Sequence, residues 1–220
     1  MVDLFTIRDV IEKPISGEWG NDGKGTKVLR TTNFTNTGEI SFKNVVERDI
    51  PLRKVEEKKL RFGDTILEKS GGSPTQPVGR VVYFNLQTSD SYLCNNFTSV
   101  LRPKENVDPK YFFWFLFKNH IFKQTLAFQN KTTGIINLKT ERYLQETQIP
   151  LPPLSTQKAI AEKLDKADAL RKKDQELLAQ YDELAQAIFI DMFGDPVKNE
   201  KGWEKMIFSD IVSKNCPLTY

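Results

Sequence analysis

The chain has 220 residues, of which 39% are hydrophobic and 28% are charged, and its formal net charge is +3. This composition is typical of a globular protein with one domain and an appendage, or with two small domains. It excludes a protein that spans a membrane by helices, because no apolar run approaches the ~20 residues that cross a bilayer.

The positive charge is concentrated in the first part of the chain. Residues 1–154 carry 22 Lys and Arg against 17 Asp and Glu, whereas residues 155–193 carry six against eight and residues 194–220 carry four of each. A polyanionic partner is therefore compatible with the N-terminal part only.

The cysteines and the N-terminus indicate the compartment. Cys94 and Cys216 are isolated in the sequence, and neither belongs to a cluster with metal-ligand spacing. Met1 is followed by strand-like sequence rather than by a basic and apolar leader. We therefore expect no secretion signal and a reducing, cytoplasmic location.

Short strands and polar loops are predicted over the first hundred residues. Residues 4–11 have the pattern of a strand or short helix that enters a core, and residues 16–26 that of a polar, glycine-rich loop. A second flexible loop is predicted over 70–79. The strand-like segments, rich in β-branched and aromatic residues, are 27–30, 65–68, 80–86 and 96–101.

A helix is predicted over residues 111–122. Asp108 is a suitable cap, Pro109 suits the first helical position, and the dense aromatic residues that follow are typical of a core helix. Residues 125–138 end in a glycine-punctuated loop, and 143–151 are predicted to form a last strand. Strands mixed irregularly with short helices predict an α+β fold with a mixed or antiparallel sheet.

A much longer helix is predicted over residues 155–193. Prolines precede it, Ser155 can accept hydrogen bonds from its first free N–H groups, and Gly194 and Pro196 end it. At 1.5 Å per residue it would be about 58 Å long. A small domain cannot bury such a helix, so we expect it to reach a partner.

Steps of four and three residues along this helix give a coiled-coil seam. Arg171 and Asp174 interrupt the seam, where they either fix register and partner or mark an opening to solvent. Leu177, Leu184 and Phe189 widen the apolar face over the last turns. A helix that lies along its own domain is the alternative. The apolar seam residues, which we predict to bind a partner helix, are Ile160, Leu164, Ala167, Leu178, Tyr181, Ala185, Ile188 and Met192.

No catalytic, metal-binding or cofactor-binding motif emerges from the sequence. His120 is the only histidine, so we expect it to be structural, and the usual triads and zinc sites lack their partners. Residues 17–26 fail the P-loop spacing, because Glu18 replaces the first glycine and Gly25 follows Lys24 in place of Ser or Thr. The chain has the character of a binding protein.

The segment IPLPPLSTQKAIA at residues 149–161 resembles the specificity subunits of type I restriction–modification systems. In that family a similar stretch ends a target-recognition domain and opens a long helix, and Thr156 stands where Glu is more usual. Residues 205–214 also repeat the apolar pattern of residues 4–13, as if a second domain began there. Further family-like segments occur in the order expected for the family, at residues 29–34, 38–40, 63–67, 134–138, 192–196 and 202–204.

The resemblance implies a mixed α/β target-recognition domain over 1–152, a long coiled-coil helix over 153–194 and the start of a second recognition domain over 195–220. The family holds two recognition domains apart with two antiparallel helices, so this chain resembles a half-length form. It would need a second copy or another half, and a two-fold dimer predicts an interrupted palindrome as the DNA site. The implied partners are double-stranded DNA, methyltransferase subunits that carry the cofactor and the chemistry, and, through them, the restriction subunit.

Polar side chains on loops are the predicted DNA contacts. An arginine pairs bidentately with guanine, which suits Arg30 or Arg80, and an amide pairs with adenine, which suits Gln76, Gln129 or Asn130. Lysines on the same segments are expected to meet phosphate. The full predicted set is Lys24, Arg30, Thr31, Thr32, Asn33, Lys69, Ser73, Gln76, Arg80, Gln129, Asn130, Lys131 and Thr132.

Three other interpretations stay open at this point. A coiled-coil adaptor would need the helix but not the polar loops rich in Gly and Asn. A catalytic domain of unrecognised type would need motifs that the sequence lacks. An inactive, truncated remnant would explain the short segment after the helix.

Overall fold

The computed structural model describes residues 3–73, 75–132 and 135–209. The 133–134 pair and the second half of the predicted repeat at 205–214 lie outside the described residues. The strands are β1 (Leu4–Thr6), β2 (Ile15–Ser16), β3 (Asn21–Leu29), β4 (Val46–Asp49), β5 (Thr65–Glu68), β6 (Ser70–Gly72), β7 (Val81–Tyr83), β8 (Tyr92–Cys94), β9 (Thr98–Leu101), β10 (Gln129–Thr132), β11 (Ile135–Leu138) and β12 (Gln148–Pro150). The helices are α1 (Ile7–Val10), α2 (Leu52–Lys58), α3 (Pro109–Ile121), α4 (Thr140–Glu146) and α5 (Leu154–Phe193), with 3₁₀ turns at Thr31–Asn33 and Gln124–Phe128.

A four-stranded antiparallel sheet with the order β2-β9-β5-β7 forms the centre of the globular part. On β5, Ile66 lies opposite Val82 on one side and Val100 on the other. All three side chains are buried. β-branched residues pack well on such a pleated surface, so these strands form where the sequence predicted them.

Three smaller sheets surround this centre. In the first, β3 pairs antiparallel with β4 and parallel with β8. In the second, the hairpin β10–β11 adds β6 at its edge. In the third, β1 pairs with β12, so that Phe5 lies opposite Ile149 and the start of the chain lies beside the segment that leads into α5. The combination of mixed sheets with helices confirms the α+β prediction.

α3 forms for the reasons read from the sequence. The Asp108 carboxylate accepts a hydrogen bond from the Tyr111 N–H at 2.9 Å, and Pro109 occupies the first turn. Phe112 and Leu116 are fully buried in the largest hydrophobic cluster. That cluster joins α3 to α1, α4 and β5, and its fully buried members include Ile7, Leu67, Leu101, Tyr143, Leu144 and Ile149.

Four local predictions were wrong. The predicted loop over 16–26 ends early, because β3 already begins at Asn21 and pairs with β4 across an irregularity that contains two glycines. The second predicted loop contains β6, which pairs with β11. The predicted strand over 143–151 is mostly α4, followed by the short β12. The last helix begins at Leu154, so Ser155 lies inside its first turn rather than at its cap.

The chain divides into two compact units, Met1–Asp165 and Lys166–Tyr220, and the division falls within α5. The first three turns of α5 therefore belong to the globular unit. The three-part division at 152 and 194 that the sequence suggested stays a prediction.

In the second unit, the residues after α5 cover its last turn. Gly194 has φ +78° and its N–H donates to the Ile190 carbonyl at 2.7 Å, which is the left-handed ending predicted from the sequence. The Trp203 indole N–H donates to the Phe193 carbonyl at 2.7 Å, and the Lys201 ammonium donates to the Met192 carbonyl at 2.9 Å. Carbonyls that have no partner within the helix are thus hydrogen-bonded.

Candidate nucleic-acid interface

A polar pocket brings together five of the predicted DNA contacts. It has a volume of about 340 Å³ and lies between the turn that follows β3 and the segment from β5 to β7. The sequence separates these two segments by about forty residues, and the sheets place them side by side. The lining residues are Thr31, Thr32, Phe34, Glu68, Gly71, Ser73, Gln76 and Arg80.

A buried ion pair forms the base of this pocket. Arg80 Nε and Nη2 donate to the two carboxylate oxygens of Glu68, each at 2.8 Å. Arg80 Nη2 also donates to the Thr31 carbonyl at 3.2 Å, and Nη1 to the Phe34 carbonyl at 3.5 Å. This bidentate arrangement ties the turn after β3 to the central sheet. The Arg80 guanidinium is therefore already engaged within the protein.

Asn33 holds the same turn from the inside. Its side chain is buried, and Oδ1 accepts from the Arg30 N–H at 2.9 Å. Nδ2 donates to the carbonyls of Ser41 and Lys43 at 3.0 and 3.1 Å. Every polar atom of the Asn33 amide thus has a protein partner. Arg30 lies half-buried beside it, with Nη2 donating to the Asn44 carbonyl at 3.0 Å.

The rim of the pocket displays short polar side chains. Thr32 and Gln76 are exposed, and Ser73 is half-buried. The loop that carries Ser73 and Gln76 is closed by two hydrogen bonds between their backbones, at 2.9 and 3.1 Å, and Ser73 Oγ lies 3.1 Å from Thr75 Oγ1. Gln76 is thus exposed at a position where its backbone is hydrogen-bonded to the backbone of Ser73.

A second pocket, of about 310 Å³, adjoins the same loop and reaches the hairpin β10–β11. Ser73 and Gln129 both line it, and Gln129 Nε2 donates to the Val78 carbonyl at 3.1 Å. Asn130 is exposed at the start of the hairpin. The hairpin is joined to the first pocket by β6, where Ser70 Oγ donates to Asn137 Oδ1 at 2.5 Å. Lys131 and Thr132 continue β10 beyond Asn130.

The predicted phosphate-binding lysines are not gathered at one place. Lys24 lies on β3, and neither pocket includes it. Lys69 lies between β5 and β6, next to Glu68, and its ammonium donates to Ser16 Oγ at 2.7 Å. Burial lowers the pKa of Lys69 below its usual value. Neither pocket is lined by Lys24 or by Lys69, although Lys69 directly follows Glu68, which lines the first pocket.

His120 lies near the end of α3 and is half-buried. Burial, and to a smaller extent the charge of Arg80, lower the pKa of His120, so the imidazole is neutral at pH 7. Within the described part of the chain, no group of three or more His, Cys, Asp or Glu side chains is arranged to hold a metal ion.

The junction between the domain and α5 depends on a residue that the sequence analysis did not single out. Gln157 is buried, and its Oε1 accepts from the Asp108 N–H at 2.9 Å. Its Nε2 donates to the carbonyls of Pro152 and Asn106 at 2.8 and 3.2 Å. The single side chain links the cap of α3, the loop before it and the proline segment. The sequence feature that could have identified Gln157 is its position within the proline-to-helix motif at residues 149–161.

Two turns later, Asp165 completes the attachment of α5 to α3. One of its carboxylate oxygens accepts from the Trp114 indole N–H at 2.8 Å and from the Lys110 ammonium at 3.3 Å. Tyr111 adds a hydrogen bond from its hydroxyl to the Pro150 carbonyl at 2.7 Å. The first turns of α5 are therefore fixed to the globular unit by polar side chains as well as by the buried Ala161.

With this geometry established, comparison with known proteins identifies the family. Residues 2–180 match the family model described as the type I restriction modification DNA specificity domain. The chain belongs to this family. The resemblance read from the proline-to-helix motif is thereby confirmed, and the motif lies within the matched region of this specificity domain.

Three solved structures share the fold of the specificity domain. A chain from a study of complex assembly and conformational transition of a type I restriction–modification system has a TM-score of 0.58 at 22% identity, over 84% of this chain and 44% of that chain. The HsdS subunit from Thermoanaerobacter tengcongensis gives 0.53 at 21% identity, over 87% and 44%. The type I S subunit from M. genitalium gives 0.52 at 15% identity, over 92% and 49%.

These comparisons also define how much of the relatives the chain represents. The specificity domain spans less than half of the length of each of these three solved structures.

A search of curated proteins gave no match. Among the described residues, no helix combines the length and the apolar character needed to cross a lipid bilayer.

The predicted seam of α5 divides between the two units. Ile160 and Leu164 belong to the globular unit, where they are partly exposed beside α3. The larger seam residues of the second unit, Leu178, Tyr181, Ile188 and Met192, are each at least half exposed. Ala167 and Ala185 are also exposed members of the seam. Among the residues that the structure describes, the apolar side chains of this seam are thus exposed in each of the two units.

Proposed function

We propose that this chain is a non-catalytic DNA specificity subunit of a type I restriction–modification system. The observation that carries the proposal is the family match over residues 2–180. The gathering of separate predicted contacts around one polar pocket supports it, because base edges are read by polar side chains that a scaffold holds in place.

In this proposal the exposed polar side chains around the pocket contact DNA bases, and the buried polar side chains fix the position of the turn that carries them. Thr32, Gln76 and Asn130 are accessible and suit direct contacts to base edges. Arg80 and Asn33 are already bonded within the protein, so we assign them to positioning of the turn rather than to base contact. Lys24, Lys69 and Lys131 are proposed to bind phosphates, which would make the affinity fall with salt.

The complete functional unit is proposed to contain two copies of the chain, or this chain and another half. The solved relatives are about twice as long, and α5 has an exposed apolar face that suits a second helix. Two copies related by a two-fold axis would place identical reading domains on two half-sites, which predicts a split palindrome. Methyltransferase subunits in the cytoplasm would supply the cofactor and the chemistry, and the restriction subunit would join through them.

Selection from randomised duplex DNA tests this function. The chain would be purified alone and with any methyltransferase subunit that co-purifies with it, and bound duplexes would be sequenced after selection at low salt. We expect an interrupted palindrome to be enriched. Enrichment of an asymmetric site would replace the homodimer by a pair of different halves. A folded sample that enriches no sequence would favour the adaptor or the remnant over the specificity subunit.

A further inference from the structure

The hairpin β10–β11 has one face in the core and one face open to solvent. On β11, Ile136 and Leu138 are 5% and 6% exposed and belong to the largest hydrophobic cluster. The other two residues of the strand alternate with them, since Ile135 is 55% exposed and Asn137 is half-buried. Successive side chains of a strand point to opposite faces, so Ile135 and Asn137 share the outer face of the hairpin.

A row of polar residues crosses this outer face from strand to strand. Asn130 of β10 lies opposite Asn137, and Asn137 lies opposite Ser70 of β6. Residues in direct register share a face, with Cβ atoms about 4.5–5.5 Å apart. The register shifts next to this pair, and Gly71, at φ +95°, is the extra residue of β6. Beyond this bulge the Ser70 hydroxyl donates to Asn137 Oδ1 at 2.5 Å.

The Asn137 amide has hydrogen-bonding capacity that its protein neighbours do not use. Its oxygen accepts from Ser70 through one lone pair, which leaves a second lone pair. Within the described residues, its Nδ2 group makes no hydrogen bond. The amide of Asn33, in contrast, is fully bonded within the protein. An open acceptor beside an open donor matches the N6 donor and the N7 acceptor that adenine presents in the major groove.

Ile135 provides an apolar contact on the same outer face. Residues two positions apart on a strand are separated by about 6.6–6.8 Å, which is close to two base-pair steps of about 3.4 Å. Thymine is the base that presents a methyl group in the major groove, where apolar side chains contact it. The outer face therefore suits an adenine and, about two base pairs away, a thymine.

The charge and the shape of this region favour duplex DNA as the partner. Residues 109–140, which include the hairpin, contain five lysines and no Asp or Glu, whereas the remainder of residues 1–154 contains 17 basic and 17 acidic residues. The whole positive excess of residues 1–154 therefore lies in this segment. The major groove, about 12 Å wide, admits a two-stranded β-ribbon, and β10 is the outer strand of its sheet.

We propose that the outer face of β10–β11 enters the major groove and that Asn137 selects an adenine in the recognised site. Asn137 accepts from adenine N6 and donates to N7, Ser70 holds the amide in that orientation, and Ile135 contacts a thymine methyl group nearby. This inference rests on the proposed function. It adds to the polar pocket a second reading surface, whose three residues were not among the contacts predicted from the sequence.

Modified bases test these contacts with the unmodified chain. The site enriched from randomised duplexes would be resynthesised with 7-deazaadenine at one adenine at a time, which replaces only the N7 acceptor. We expect at least one position at which binding weakens about tenfold. Uracil in place of thymine, which lacks the methyl group, should weaken binding about threefold at a position about two base pairs away. A selected site in which no adenine requires N7 would overturn the inference.

Variants assign the adenine contact to Asn137. With Asn137→Ala, we expect the preference for adenine at that position to fall about tenfold, and 7-deazaadenine there to have no further effect. Ser70→Ala should lower the same preference about threefold, because the amide loses the bond that orients it. Ile135→Ala should abolish the effect of the thymine methyl group. Asn85→Ala, at an exposed asparagine outside the hairpin, is the matched control and should change none of these.

A second variant tests the chemistry of the contact by a change of preference. Asn137→Asp keeps the size of the side chain but replaces its N–H donors with an acceptor. A carboxylate accepts from the N4 group of cytosine, so the selected base should shift from adenine towards cytosine. Circular dichroism would verify that each variant is folded.

The outcomes separate this inference from the proposed function. A selected site whose profile and whose response to 7-deazaadenine are the same for Asn137→Ala and for the unmodified chain would overturn the inference while keeping the specificity subunit. A folded, unmodified chain that enriches no sequence would overturn both.

Discussion

Gln157 offers a direct test of how the globular unit is joined to the first turns of α5. Gln157→Ala would remove three hydrogen bonds and leave the Asp108 N–H and the carbonyls of Asn106 and Pro152 without their partner. Taking about 1 kcal/mol for each hydrogen bond, the free energy of unfolding should fall by roughly 3 kcal/mol. Urea unfolding followed by tryptophan fluorescence would measure the loss.

The neighbouring Lys158 provides the control for this experiment. Its side chain is exposed, so Lys158→Ala should change the free energy of unfolding by less than about 0.5 kcal/mol. If Gln157→Ala also stayed within 0.5 kcal/mol of the unmodified chain, the junction would depend on apolar packing alone and the argument from Gln157 would be refuted.

Three further predictions concern the pocket and the buried thiol. Arg80→Ala should lower the free energy of unfolding by about 3–5 kcal/mol, because it leaves the buried Glu68 carboxylate unpaired, and the double variant Arg80→Leu with Glu68→Leu should recover much of that loss in thermal unfolding. Gln76→Ala should change the selected DNA sequence or weaken DNA binding about tenfold, without changing Tm. The control Gln145→Ala, at an exposed position on α4, should change neither the selected sequence nor the affinity, and an unchanged selection profile for Gln76→Ala would show that Gln76 does not contact the bases. Burial raises the pKa of Cys94 to about 11, so at pH 8, in a chain whose other cysteine is replaced by serine, a thiol reagent should react only after denaturant is added.

The sequence predicted those helices whose ends are fixed by residues close to them in the chain. α3 was found because Asp108 and Pro109 satisfy the first turn by themselves, and α5 was found because prolines and Gly194 bound an uninterrupted run of helix formers. The strands β4 and β8 were missed because each is stabilised by β3, which lies far from β8 in the sequence. The segment around Tyr143 was assigned to a strand because its apolar residues are too few to distinguish the two periodicities.

The candidate site was predicted only in part for a related reason. The predicted contacts are polar residues on loops, and five of them line one pocket. Their sequence does not distinguish side chains that face outward from those that bond inward. The Arg80 guanidinium bonds to Glu68, 12 residues away, and the Asn33 amide bonds to the carbonyls of Ser41 and Lys43, eight and ten residues away. The exposed face of α3 was also missed, since an aromatic run has the same appearance in sequence whether or not neighbours cover it.

The cover on the last turn of α5 has a consequence for any shortened form of the protein. A chain that stopped at Phe193 would lose Trp203 and Lys201, so the carbonyls of residues 192 and 193 would accept hydrogen bonds from water instead. Helices fray from such ends, and a cation near the C-terminus favours the helix dipole. Melting would begin among the apolar residues of the final turns and spread inward, so truncation would shorten the exposed apolar face of α5 from its C-terminal end.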